Sequence, residues 1–266
     1  MKMSENLISK IKNEVKKSGH PVSLKASIIL NKKSWYVRNA PRYFDPNLKN
    51  SREIDIVAQR KSIYVRNAID VLIIECKKSK DKSWVFFRQN KLNTEVLSLN
   101  VDMSETTEGA IYDWLERNVF KKHYYYRRPC YTYYFVANAN PDSKVGKQIF
   151  DATEQVLGAL RFYFVQRANL ISEYRLRVPM FFYPIIVFDG KMFEVSVEEA
   201  DINIKETNWI SLWIEKELEE PLLMRLLYKQ GFRRIVYSKP IIIDIVKLDY
   251  FEEFLKNFDK LSSDQI

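Results

Sequence analysis

Two short apolar runs limit what this chain can become. They are Ser51-Arg-Glu-Ile-Asp-Ile-Val-Ala58 and Val71-Leu-Ile-Ile-Glu-Cys-Lys-Lys-Ser-Lys80. Both are strand-length and rich in Ile and Val, which favours strands over helices. Each carries apolar residues on both faces, as a strand covered by helices on both sides does. Alternation places Glu53 and Asp55 on one face of the first strand, and Glu75 and Lys77 on one face of the second. Charges in the most apolar part of a chain are unfavourable unless they are paired or hold an ion. A ligand-free ion cluster is the structural alternative. Because buried ion pairs stabilise poorly compared with apolar replacements, the balance favours a functional site.

The remaining elements fall around these strands. Leu7, Ile8, Ile11 and Val15 give a helical stripe over residues 4–17, with Ser4 as its cap and Ser18-Gly19 as its end. Pro21 opens a second helix to about Lys33 with Leu24, Ile28 and Ile29 inward. A strand from Trp35 to Phe44 and a polar turn over 45–51 lead into the first run. Trp84 to Phe87 reads as core packing, Glu108 to Phe120 as a helix, and Tyr131 to Ala137 as a strand closed by the 138–142 turn. Residues 143–168 form the clearest amphipathic helix, through Ile149, Ala152, Val156, Ala159 and Tyr163. Asp189-Gly190 signals a hairpin between Pro179–Phe188 and Met192–Val197. Trp209–Glu219 and Leu222–Lys229 read as helices, Ile235–Tyr237 and Ile241–Val246 as strands, and Tyr250–Leu261 as a terminal helix.

An Asp on one strand followed by Glu-x-Lys near the end of the next resembles the PD-(D/E)XK nuclease superfamily. Asp55 and Glu75-Cys76-Lys77 carry the pattern, and SREIDIVA and LIIECKKSK around them resemble its archaeal and bacterial members. The resemblance is strongest over residues 18–90 and weaker through the 146–168 helix and the 179–197 strand pair. It implies an α/β restriction-endonuclease-like fold: a mixed central sheet flanked by helices. The whole chain would then be one domain with a core at about 18–168 and a C-terminal extension of strands and helices over 169–266. It also implies a Mg²⁺- or Mn²⁺-dependent nuclease acting on DNA. Asp55 and Glu75 would bind the metal with the Cys76 carbonyl, and Lys77 would act on the water. Relatives usually carry a Glu in the helix before the first strand, where this chain has Ser23 within Gly19-His-Pro-Val-Ser23. Glu53, and less readily Glu14, are the substitutes on offer; His20 reads as a helix-end residue.

Charge agrees with a polyanionic partner. The chain holds 43 basic and 34 acidic residues, a formal net charge of +9, and a basic surface field attracts nucleic acid. Lys78, Lys80 and Lys82 beside the motif form the expected phosphate-binding rim, joined by Arg127 and Arg128 if the basic, aromatic run 121–128 tracks a nucleic-acid strand; a half-exposed strand with its tyrosines packed flat is the equal alternative for that run. Only six glycines are present, and no phosphate-cradling glycine loop is among them. Cys76 and Cys130 have neither disulfide-framework nor zinc-site spacing. With no apolar run near the roughly 20 residues of a membrane span and no apolar signal core, the expectation is a cytoplasmic protein without a membrane partner. A homodimer is compatible with the sequence. Two rivals stand beside the nuclease: a catalytically impaired nucleic-acid-binding relative, and a scaffold retaining the acidic cluster as a relic.

Overall fold

The computed structural model describes residues 2–45, 48–63, 68–92, 100–102, 128–137, 147–174, 180–198, 201–214 and 241–263. The expected helix at Glu108–Phe120, most of the tyrosine-rich run including Arg127, the 138–142 turn, the helix at Leu222–Lys229 and the strand at Ile235–Tyr237 lie outside these residues. Within them, helices α1 (Lys2–Lys17) and α2 (His20–Lys32) precede strands β1 (Tyr36–Asn39), β2 (Arg42–Asp45), β3 (Asn50–Glu53), β4 (Ile56–Lys61), β5 (Ile69–Leu92), β6 (Asn100–Asp102) and β7 (Pro129–Ala137). Helix α3 (Gln148–Tyr174) follows, then β8 (Met180–Glu198), β9 (Asp201–Glu206), β10 (Trp209–Ile214), β11 (Ile241–Lys247) and α4 (Phe251–Ser263).

Nine strands make one mixed sheet, and β2 and β3 form a separate two-stranded ribbon. β1, β4 and β5 run as an antiparallel meander, while β8 lies parallel to β5. Further pairings join β5 to β7, β7 to β10, β10 to β11 and β11 to β8, so these five strands close a ring. β8, β10 and β11, from the stretch read as an extension, are thus members of the same sheet as β5.

Alternation along β5 splits the core into two layers. Leu72, Ile74 and Cys76 face α2 and α4, with Val22, Ala26, Leu30, Phe254 and Phe258. Val71 and Ile73 face α3, with Ile149, Ala152, Val156 and Leu160. Arg60 of β4 fastens α4 to its layer, lying 4.1 Å over the Trp35 ring and 2.6 Å from Asp259.

Several expectations need correction. α2 turns Val22, Ala26 and Leu30 inward with Ile29 half-buried against the same layer, leaving Leu24 and Ile28 exposed. The expected strand Trp35–Phe44 breaks at Ala40, which has a positive φ of 50°, a conformation non-glycine residues adopt only at tight turns. The run Ser51–Ala58 also breaks, at Ile54-Asp55, so Glu53 ends the ribbon and Ile56 begins the main sheet. Trp209–Ile214 is a strand, held by six cross-strand partners from β11.

Asp189-Gly190 makes no hairpin; β8 runs through it beside β5, and β8 turns back instead at Glu198–Asp201 into β9. Here β5 carries a surplus. Residues 79–82 stand against Gly190 alone, between the pairs Lys78↔Asp189 and Ser83↔Lys191. A Cβ at Gly190 would lie 2.4 Å from Phe188 Cζ and 2.8 Å from the Ser79 carbonyl oxygen. Phe188 cannot yield, since it is fully buried and stacked 3.9 Å from Trp84. Gly190→Ala should therefore destabilise the fold by about 1–3 kcal/mol through overpacking, seen as a lower urea midpoint with an unchanged m-value.

Candidate active site

The β4–β5 register places Ile56 opposite Ile74 and Val57 opposite Ile73. Continued by one residue, it sets Asp55 opposite Glu75, and directly opposed residues of an antiparallel pair share a face. That face is the α3 side, because Glu75 alternates with Ile73. β4 ends here, so the main-chain ladder stops, and the Cys76 N–H donates instead to Asp55 Oδ2 at 2.7 Å. Lys77 Nζ donates to Glu75 Oε1 at 2.5 Å. The second Glu75 oxygen, Oε2, is buried and receives no hydrogen-bond donor.

Electrostatics follow from this crowding. Burial, and then the neighbouring Asp55 charge, push Glu75 up to about 8 against the pull of Lys77 and Arg52. Burial also raises Asp55, offset chiefly by the Cys76 N–H and by Lys77. Near neutral pH Glu75 thus keeps its proton. Tyr43 stands close by and is raised to about 12, chiefly by burial. Arg52 lies 3.5 Å from Asp45.

The oxygens present suit a hard divalent cation such as Mg²⁺, which takes carboxylate, carbonyl and water ligands. The donorless, buried Glu75 Oε2 beside a second carboxylate is where such an ion would be accommodated. The Cys76 thiol is not a ligand here: it is buried in the other layer, and burial raises it well above its ordinary value. Only its carbonyl could contribute. Among the described residues there is no group of three or more His, Cys, Asp or Glu side chains placed to hold a metal. Two carboxylates, main chain and water would have to suffice.

The other expected residues are dispersed. Glu53 is exposed on the ribbon, in register with Arg42; its charge still reaches Asp55 and raises it. Ser23 donates to the His20 carbonyl within α2, the helix packed on the opposite layer. Glu14 sits on exposed α1. Lys78 pairs with Asp189 at 3.3 Å and donates to the Lys16 carbonyl at 3.1 Å, so it braces α1. Lys80 and Lys82 lie in the 79–82 surplus, Lys80 exposed and Lys82 half-buried. Arg128 stacks 4.4 Å over Trp209, a packing role the sequence did not signal.

Comparison of the chain with family models, curated proteins and solved structures found no match in any of the three. Among the described residues no helix is long and apolar enough to cross a membrane.

The raised Glu75 carboxyl makes a signed prediction for metal-free protein. Below about pH 4.5 both folded and unfolded chains hold the proton, and there is no penalty. From there to about 8 the unfolded chain releases a proton that the folded one keeps, so stability falls as pH rises. Glu75→Gln removes the penalty. Its gain over wild type should be near zero at low pH and reach the order of 5 kcal/mol above the folded value, measured by urea denaturation at both ends in chelator.

Proposed function

We propose that the chain is a Mg²⁺- or Mn²⁺-dependent nuclease that hydrolyses DNA on a restriction-endonuclease-like core. One observation carries the reading: Asp55 and Glu75 face each other where β4 stops, with Lys77 on Glu75 and one buried carboxylate oxygen lacking a donor. The order of elements supports it. A helix (α2), an antiparallel meander (β1, β4, β5), a helix (α3) and a strand parallel to the third (β8) follow one another, with the ribbon inserted.

In this reading Asp55 and Glu75 hold the cation, once Glu75 has released its proton. When bound, the ion neutralises a phosphate oxygen and makes a water more acidic. Lys77 orients that water and offsets charge developing on the phosphate. Lys80 and Lys82, carried on the surplus just beyond the motif, meet the strand's phosphates. The net charge of +9 draws the polyanion in.

Purified protein should nick plasmid DNA with Mg²⁺ or Mn²⁺ and stop in EDTA. Lys77→Ala should abolish cleavage with DNA affinity largely kept, and Asp55→Asn should remove metal-dependent activity, because an amide is a poorer Mg²⁺ ligand. Since Glu75 must shed a proton to ligate, metal binding should strengthen as pH rises, and raising the metal concentration should shift the rise in cleavage to lower pH. Cleavage that survives both substitutions would end this assignment. Affinity for DNA should fall steeply with salt as counterions are released; no binding at low ionic strength would count against any nucleic-acid role.

Ser23 lies on α2, in the layer opposite Asp55 and Glu75, so that position supplies no acid to the pair, and among the described residues only two carboxylates meet there. That favours a second reading, a nucleic-acid-binding relative with impaired catalysis. Wild type that binds DNA in a salt-dependent way but leaves plasmid intact with Mg²⁺ or Mn²⁺ would mark the impaired relative, and Ser23→Glu should not restore cleavage.

A further inference from the structure

The two segments that deliver the site residues are not held together by the sheet at the point where they matter. β4 has ended, and two carboxyls brought face to face repel once both are ionised. Helix α3 supplies what the ladder does not. Gln155 Nε2 donates to the Glu53 carbonyl at 2.8 Å, two residues before Asp55, and the Gln155 carbonyl accepts from Tyr43 Oη at 3.1 Å. Seven residues earlier, Gln148 Nε2 donates to the Lys78 carbonyl at 3.1 Å, one residue after Lys77. Gln148 Oε1 accepts from Trp84 Nε1 at 3.3 Å.

A seven-residue separation is close to two helical turns, so both glutamines project from one side of α3. Gln148 bridges the 79–82 surplus, holding the chain before it and the indole after it. Gln155 holds the ribbon, whose close approach is allowed by Gly158: a Cβ there would lie 3.2 Å from both Asp45 Oδ2 and Tyr43 Oη. One rigid helix thereby fixes the chain on the Asp55 side and on the Lys77 side at the same time.

We propose that Gln148 and Gln155 are positioning residues, a clamp through which α3 sets the separation of Asp55 from Glu75 and Lys77. The proposal rests on the nuclease reading. The glutamines touch neither substrate nor cation; they act through the main chain that carries the ligands. Outer groups that orient metal ligands typically affect metal affinity or activity by about 10–100-fold.

The test uses Gln148→Met and Gln155→Met, which keep side-chain length and remove the hydrogen bonds. Gln166→Met, at an exposed position of the same helix, is the control. Mn²⁺ binding is measured by calorimetry, and plasmid cleavage is resolved into kcat and KM. Each clamp variant, folded by circular dichroism, should bind Mn²⁺ about tenfold or more weakly and lose kcat, with KM for DNA unchanged. The control should match wild type. Folded variants with wild-type Mn²⁺ affinity and kcat would overturn the clamp while leaving the nuclease standing. Wild type that neither binds Mn²⁺ nor cleaves would instead bring down the nuclease reading, and the clamp with it. Should Gln148→Met not fold, the half-buried Gln155 decides alone.

Discussion

The hydrogen bond from the Cys76 N–H to Asp55 Oδ2 takes over where the β4–β5 ladder ends. It satisfies a main-chain donor that would otherwise face a buried carboxylate cluster unpaired. It also commits one oxygen of Asp55 and so fixes the direction of the other. Glu75 is then held between Asp55 and Lys77, and burial first and the Asp55 charge second weaken it as an acid against the pull of Lys77. The ribbon, the helix above it and the surplus in β5 all bear on this one junction.

The layers beneath explain how the junction can be so polar. Directly below Glu75 on its own face are Ile73 and Val71, packed against Val156, Ala159 and Leu160 of α3. On the reverse face Cys76, Ile74 and Leu72 pack against α2 and α4. Burial on this scale is the main source of stability in a domain of this size. It can carry a few unfavourable charges, which an apolar replacement would not require.

Sequence made the central strands legible because Ile and Val leave few alternatives to a strand, and because a period of two places Glu75 and Lys77 together whatever lies around them. It misled where a local signal competed with a distant partner. Trp209-Ile-Ser-Leu-Trp-Ile spaces its large residues as a helix does, yet pairing with Ile241–Val246 makes it a strand. Asp189-Gly190 is a strong turn signal, but the glycine is needed for the close approach of Ser79 and Phe188. The inward face of α2 went to Val22, Ala26 and Leu30 rather than to Leu24 and Ile28, since two stripes of four-residue spacing compete and hydrophobicity alone does not choose between them. Gln148 and Gln155 left no trace in any motif, because they bind main-chain carbonyls, which every residue presents.

The closed ring of strands has a bearing on when the protein can become what it is. β5, which carries Glu75 and Lys77, finds its parallel neighbour more than a hundred residues later along the chain, in β8. That neighbour in turn is flanked by β11, near residue 247. Pairings between such distant segments form slowly, and during synthesis they wait for the later segment to emerge. A ribosome that has made β4, β5 and even α3 has therefore not yet made the centre, whose supporting strand still lacks one side. The strand that carries Glu75 and Lys77 lacks its β8 neighbour until residues 180–198 have been translated.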